Sequence, residues 1–340
     1  MEQNVLIVGG GVAGMEAAGA LADLGYKVSI IEKEHRTGGH INQWYALFPD
    51  RRPAKEVTSH MHRRLDNNNI TVHTGKTAAK VKHHAGKFAV EISDGSMMEA
   101  DAVIVATGFD LFDASRKEEY GYGIYENVIT SADLEDMFSS GRIVTTDGRV
   151  PERIGFIHCV GSRDEKVCNN HCSKVCCVTA VKQAVEIKEL LPHCEVFCFY
   201  MDMRMFGPYY EELYRESQEK YNVNYIRGKV SEASGTISNR VVVKVEDTLA
   251  GRPLKMEVDL LVLMTGMEMA KAGEMLAASS GLERGPNRFF ETGDHHYGNN
   301  RSSKKGIFYA GTCTAPMNIT DTISHARAAV IETVKYLSSK

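Results

Sequence analysis

The chain has 340 residues, enough for more than one domain, and its apolar and charged fractions of 43% and 25% are ordinary for a globular protein. Its 40 basic and 44 acidic residues leave a net charge of −4, which argues against nucleic acid as the main partner. No stretch is long and apolar enough to span a bilayer, and the apolar opening carries Glu16 and Asp23 without a basic leader. A cytoplasmic location is therefore expected, where thiols stay reduced and clustered cysteines hold metal or do redox work.

In chain order, residues 4–8 (NVLIV) read as a strand, GGGVAG as a turn, MEAAGALADLGY as a helix, and KVSIIE as a second strand ending at Glu32. The turn spells Gly9-x-Gly11-x-x-Gly14. Its first glycine makes the tight turn, the second lets backbone amides approach a pyrophosphate, and the third lets the helix pack on the strand. Glu32 follows Gly14 at the distance where a carboxylate accepts from a ribose diol, with Lys33 beside it. Strand, glycines, helix and terminal acid together are a strong dinucleotide signal.

Three further stretches favour FAD over NAD. RTGGH places Gly38 and Gly39 just after the second strand, where an extended flavin nucleotide needs close backbone approach. ADAVIVATGFD, with Ala106, Thr107 and Gly108, resembles the strand and turn that closes the first domain of two-dinucleotide flavoproteins. GIFYAGTCTAP and NITDTISHARAAV resemble their last flavin-contacting strand and helix, which implies that Gly311, Thr312 and Thr322 meet the cofactor. Thr320 is the expected N-cap of that helix.

The middle repeats the theme. RIGFIHCVGS reads as strand and loop, CCVTAVKQAVEIKELL as a helix, EVFCFYMD as a strand, and VDLLVLMTG echoes ADAVIVATG. The expected fold is α/β, with two Rossmann-like dinucleotide-binding domains. Residues 1–150 and 267–340 form the FAD-binding domain, and residues 151–266 an inserted NAD-domain-like module. The inserted loop keeps only Gly161 of the expected glycines and carries Cys159, Cys168, Cys172, Cys176 and Cys177 instead. Asp202, closing the next strand, is the one residue there that suits a nicotinamide nucleotide's ribose; a turn residue is the plainer reading.

The spacing of the cysteines is neither that of a zinc finger nor C-x-x-C, and the segment HINQWYALFPD after the first glycine pair lacks a redox cysteine pair. A vicinal Cys176–Cys177 disulfide is possible but strained. A [4Fe–4S] cluster fits better, since Cys159 comes from a strand end, Cys172 from the loop (or, if the helix begins early, from the face of Cys176), and Cys176 and Cys177 from the helix start. Loop amides, the helix N-terminus and nearby lysines would offset its charge. Cys194, Cys198 and Cys313 are expected to be packing thiols, and His158, His171, His295 and His296 loop or surface residues.

GFIHCVGSRDEK, CSKVCCVTAVKQA, CFYMDMRMFGPYYEELY, VEDTLAG and GIFYAGTCTAPMNITDT together resemble the A subunit of heterodisulfide reductase, over essentially the whole chain. That resemblance implies a thioredoxin-reductase-like flavoprotein carrying FAD and a [4Fe–4S] cluster on Cys159, Cys172, Cys176 and Cys177, with Cys168 spare. It points Lys182 toward the flavin N5; the bland alternative is a solvated helix lysine. The ferredoxin-type C-x-x-C-x-x-C runs of the methanogen protein are absent from these 340 residues. The short form is similar to the A subunit of the heterodisulfide-reductase-like complex of sulfur oxidisers. The A subunit of quinone-interacting oxidoreductases is a close relative. Implied partners are iron–sulfur subunits, the implied assembly a homodimer. The competing reading is a self-sufficient NAD(P)H-dependent flavin disulfide reductase.

Overall fold

In the computed structural model, residues 3–340 are described, and the chain divides into two compact units. The first comprises residues up to Asn42, Lys55–Asp110 and Glu268–Lys340; the second comprises Gln43–Ala54 and Leu111–Met267.

The first unit is built on a parallel sheet in the order 307–309, 102–105, 4–8, 27–31, 70–73. Its central strands Asn4–Val8 and Ala102–Val105 are almost wholly apolar and buried, as expected for parallel strands covered on both faces. Helix Val12–Asp23 packs Ala17 and Leu21 against Val5, Ile7 and Ile104, in one cluster with Ala326 and Val330 of the C-terminal helix Ile319–Ser338. An antiparallel sheet of 78–84, 87–92 and 97–100 belongs to the same unit.

The second unit repeats this plan with a parallel sheet in the order 128–130, 260–265, 153–160, 195–200, 224–227, and an antiparallel sheet of 230–235, 241–247 and 252–258. One face of the parallel sheet packs Ile154, Phe156 and Val262 on Ala180, Ala184 and Ile187 of helix Cys176–Leu190. The other packs Ile157, Phe199 and Leu261 on Val243 and Val258 of the antiparallel sheet.

The second unit therefore starts at residue 111, earlier than the expected 151, and takes in residues 43–54. The short strand Val128–Thr130 supplies the sheet's edge by pairing with residues 261–263, and helix Ser131–Ser140 follows it directly. That edge strand has only three residues, too few for an alternation pattern to show in the sequence. The segment 43–54 is held by polar contacts of Tyr45 and Ala46 to Glu135 and Lys182.

Candidate functional site: a glycine cradle and a cysteine loop

In the first unit the chain turns from strand to helix within residues 9–11. Gly9 has φ +110°, and a Cβ there would lie 2.2 Å from the Ala106 carbonyl oxygen. A Cβ on Gly14 would lie 1.9 Å from the Gly9 carbonyl oxygen, so helix and turn touch backbone to backbone. Gly11 differs: its Cβ would meet nothing within 4 Å, and it caps the helix without a side chain. Open space thus lies beside the start of the helix, the arrangement that receives a phosphate.

Around this opening, Gly38 donates its amide to the Gly10 carbonyl at 2.8 Å, and a Cβ on Gly39 would lie 3.3 Å from the Gly11 Cα. Glu32 is buried at the strand end, where its two oxygens accept from the amides of Gly10 at 2.6 Å and Glu34 at 2.8 Å. Lys33 is half-exposed and lies 3.8 Å from Glu34 and 3.9 Å from Asp110. Ala106 is buried, and the buried hydroxyl of Thr107 has no hydrogen-bond partner. A Cβ on Gly108 would lie 3.8 Å from Thr312 Oγ1; one on Gly311 would lie 3.1 Å from Thr322 Cγ2. The Gly311 amide donates to His325 Nδ1 at 2.9 Å. The cap of the C-terminal helix is Asn318, whose side chain accepts from the Asp321 amide at 2.7 Å, and not Thr320. Asparagine at that position starts the helix two residues earlier. An open cradle at a helix N-terminus, a buried carboxylate at the strand end and an unsatisfied buried hydroxyl fit a dinucleotide.

In the second unit the strand Arg153–Val160 is separated from the helix at Cys176 by the whole of residues 161–175. Gly161 has φ +73° and packs on the Phe112 ring, where a Cβ would lie 2.0 Å from a ring carbon, so this glycine serves packing. The loop is pinned from within. Asp164 is buried and accepts from Lys117 Nζ at 2.7 Å, Asn169 donates to the Gly161 carbonyl at 3.0 Å, and buried Ser173 accepts from the Met267 amide at 2.9 Å.

Cys159, Cys176 and Cys177 are buried and belong to one packed cluster. Cys159 holds φ +60°, a conformation that non-glycine residues rarely adopt. Cys176 shares its proton with both neighbours, so its own pKa rises while those of Cys159 and Cys177 fall to about 7 and about 4. Cys172 lies outside this packed group, half-buried in the loop with its Sγ accepting from the Lys174 amide at 3.3 Å; the helix starts after it, so it shares no helical face with Cys176. Cys168 is exposed. All eight cysteines are free thiols, and among the described residues no group of three or more His, Cys, Asp or Glu stands in a metal-holding arrangement. Convergent buried thiols, two of them with acidified sulfurs, nonetheless have the soft donor chemistry an iron–sulfur cluster requires.

His158, expected in a surface loop, is buried in the strand beside the cysteines. Burial opposes its charge, but the sulfurs of Cys177 and Cys198 outweigh it and raise its pKa to about 10. Sequence reasoning misplaces it because residues 153–160 alternate no polar side chains outward, so the strand is buried on both faces. Lys182 is not a solvated lysine. It is buried, and its Nζ reaches the Ala46 carbonyl at 2.9 Å, Glu135 at 2.6 Å and Glu186 at 3.2 Å. Glu135 also accepts from Gln183 at 2.7 Å and from the Tyr45 amide at 2.9 Å. The Lys182–Glu186 spacing in an otherwise apolar helix is the available signal for this buried network. Asp202 is engaged by Arg163 at 2.7 Å, Arg227 at 3.7 Å and Arg204 at 4.0 Å.

Residues 1–128 match the family model for pyridine nucleotide-disulphide oxidoreductases. The fold is shared with thioredoxin reductases from T. acidophilum (TM-score 0.68, 20% identity, 99% of each chain) and Lactococcus lactis (TM-score 0.70, 17% identity, 99% of this chain and 100% of that one). The shared fold is one of two Rossmann-like domains. Sequence relatives narrow the class. The chain is 32% identical, over 99% of its length and 53% of the relative, to the A subunit of the ferredoxin:CoB-CoM heterodisulfide reductase of Methanosarcina mazei. It is 31% identical, over 97% of its length and 63% of the relative, to the iron-sulfur A subunit of the CoB--CoM heterodisulfide reductase of Methanocaldococcus jannaschii. Over nearly its whole length the chain is similar to heterodisulfide reductase A subunits, and it spans between half and two-thirds of the length of these two relatives. No helix among the described residues is long and apolar enough to cross a membrane.

Proposed function

We propose that this chain is the FAD- and [4Fe–4S]-carrying electron-transfer component of a heterodisulfide-reductase-like complex acting in sulfur metabolism. The observation that carries the reading is the contrast between the two loops: an open glycine cradle in one unit, and buried thiols packed in one cluster at the corresponding turn of the other. Gly9, Gly11, Gly14, Gly38, Gly39 and Glu32 would hold the adenosine and pyrophosphate side of FAD, with Lys33 at the rim. Ala106, Thr107, Gly108, Gly311, Thr312 and Thr322 would hold its ribityl and ring side. Cys159, Cys172, Cys176 and Cys177 would supply the four thiolates. Bound, the flavin exchanges one or two electrons and the cluster one.

The chain's own residues do the positioning. The helix N-terminus at Gly11 offers unpaired amides to the pyrophosphate. The pinned loop fixes Cys159 before any iron arrives. Arg163, whose charge is felt at the Cys159 sulfur, offsets thiolate charge. Lys182 keeps Glu135 in place above Ala46, and its route to the flavin N5 is part of this proposal. The self-sufficient NAD(P)H reductase reading loses support, because no glycine cradle opens in the second unit and the Asp202 carboxylate is already ion-paired. The partners are iron–sulfur subunits, and two copies of the chain form the flavin core of the complex, in the cytoplasm. Anaerobic purification with flavin, iron and sulfide counts tests the assignment: one FAD and about four irons per chain are expected. Protein with FAD but without iron would leave the cysteines as a thiol site.

A further inference from the structure

Residues 201–209 have no regular secondary structure; 201–203 and Met205 are half-buried, and Arg204 and residues 206–209 are exposed. Met201, Met203 and Met205 pack on the core that contains Cys159, Cys176 and Cys177. Between and after them, Asp202, Arg204 and Phe206 face outward. Phe206 is 65% exposed and Tyr209, held at φ +68°, is 70% exposed. Two large aromatic side chains close together in solvent are not explained by folding, and such residues anchor interfaces.

Charge on this face is one-sided. Arg163, Arg204 and Arg227 gather around the single carboxylate of Asp202, and the two exposed ones, Arg204 and Arg227, exceed it by one positive charge on a chain whose net charge is −4. Among them, the buried Nη1 of Arg163 has no hydrogen-bond partner. The carboxylates that follow, Glu211 and Glu212, lie in the first turn of helix Tyr210–Glu219, where they complement the helix's own positive end. The face is also thin: Cys177 Sγ donates to the Asp202 carbonyl at 3.7 Å, so a single peptide separates it from the thiols.

We infer that Phe206, Tyr209 and the Arg163–Arg204–Arg227 group form the docking surface for a redox protein whose contact face is rich in Asp and Glu. The inference rests on the electron-transfer reading above and names the chemistry of the partner. Acidic side chains on the partner displace Asp202 from its three arginines, which steers the encounter, while the two aromatics supply the apolar centre.

The test uses the full chain expressed in its native cell with the photoreactive p-benzoylphenylalanine at Tyr209, and in a second strain at Phe206. Illumination followed by peptide mapping should give an adduct to an Asp/Glu-rich segment of an iron–sulfur protein. Combining Arg204→Glu with Arg227→Glu should lower adduct yield about ten-fold, and Arg204→Lys with Arg227→Lys should preserve it. Unchanged flavin content in each variant verifies that the fold is kept. An adduct only to a second copy of this chain, an adduct to a segment without acidic residues, no adduct at either position, or a yield indifferent to charge reversal overturns the inference. Iron counts on the unmodified chain separate the two claims, since an acidic adduct formed by iron-free protein supports the surface and overturns the cluster reading alone.

Discussion

The two units run the same strand–turn–helix plan and differ at one turn. In the first, residues 9–11 span the gap between strand and helix; in the second, residues 161–175 fill it. The short turn is closed to side chains at Gly9 and Gly14 and open at Gly11, so what it can bind is a phosphate held by backbone. The long turn is pinned through Asn169 and Ser173 between the Cys159 strand and the Cys176 helix, so what it can bind is held by side chains. Glycine has opposite duties in the two turns. Gly11 keeps a space open for a ligand, whereas Gly161 lets Phe112 pack against the loop.

The largest effect should come from closing the open turn. Gly11→Val places its side chain where no protein atom lies, so thermal stability should hold while bound flavin falls below about a tenth of the wild-type content. Gly14→Val, whose Cβ would overlap the Gly9 carbonyl, should lose both stability and flavin. Retained flavin in Gly11→Val would remove the first turn's assigned role.

The second turn is tested by single Cys→Ser changes at Cys159, Cys172, Cys176 and Cys177. Each should abolish iron retention on an anaerobic column while flavin content stays near wild type, and Cys168→Ser should leave both unchanged. Iron loss in the Cys168 variant with retention in the Cys172 variant would exchange their places.

A smaller effect distinguishes the two helices that follow the turns. Helix Val12–Asp23 carries one buried carboxylate, Glu16, paired with the partly exposed Arg64 and Arg327, whereas Cys176–Leu190 carries the Lys182–Glu135–Glu186 network, buried on every member. Lys182→Met removes the cation from buried Glu135 and should cost about 3–5 kcal/mol in denaturant unfolding. Equal stability would show that Glu135 is solvated or protonated.

The smallest effect is a pH dependence from the same network. Burial raises the Glu186 pKa to about 7, from the 4.5 of a free side chain, with Lys182 opposing and Glu135 adding to the shift. The folded chain therefore holds this proton more firmly than the unfolded one. The contribution is fully present below about pH 4.5 and is lost as pH rises through 7, with about 3 kcal/mol as its upper bound. Unfolding free energies between about pH 5 and 8 should fall less steeply for Glu186→Gln than for wild type; parallel curves would assign the proton elsewhere.

Much of this was legible in the chain. Apolar runs of strand length with helical spacing between them give two parallel sheets, and Gly9 and Gly14 sit where the Gly9-x-Gly11-x-x-Gly14 pattern says they must, because only glycine tolerates those backbone approaches. The helix start at Cys176 was legible from its apolar spacing too. The domain boundary was not, since a three-residue edge strand has no periodicity and joins its sheet only through partners far away in sequence.

What the sequence by itself determined is what depends on local sterics and period: the repeated strand–helix plan, the glycine turn, and the crowding of cysteines where the second set of glycines is missing. Tertiary structure alone decided which thiols meet, that His158 is buried beside them, that Lys182 meets Glu135 and Glu186 out of water, and that three arginines converge on Asp202. Each of those facts joins side chains from segments well separated along the chain. Their charge states follow from burial and neighbours, which no spacing along the chain encodes.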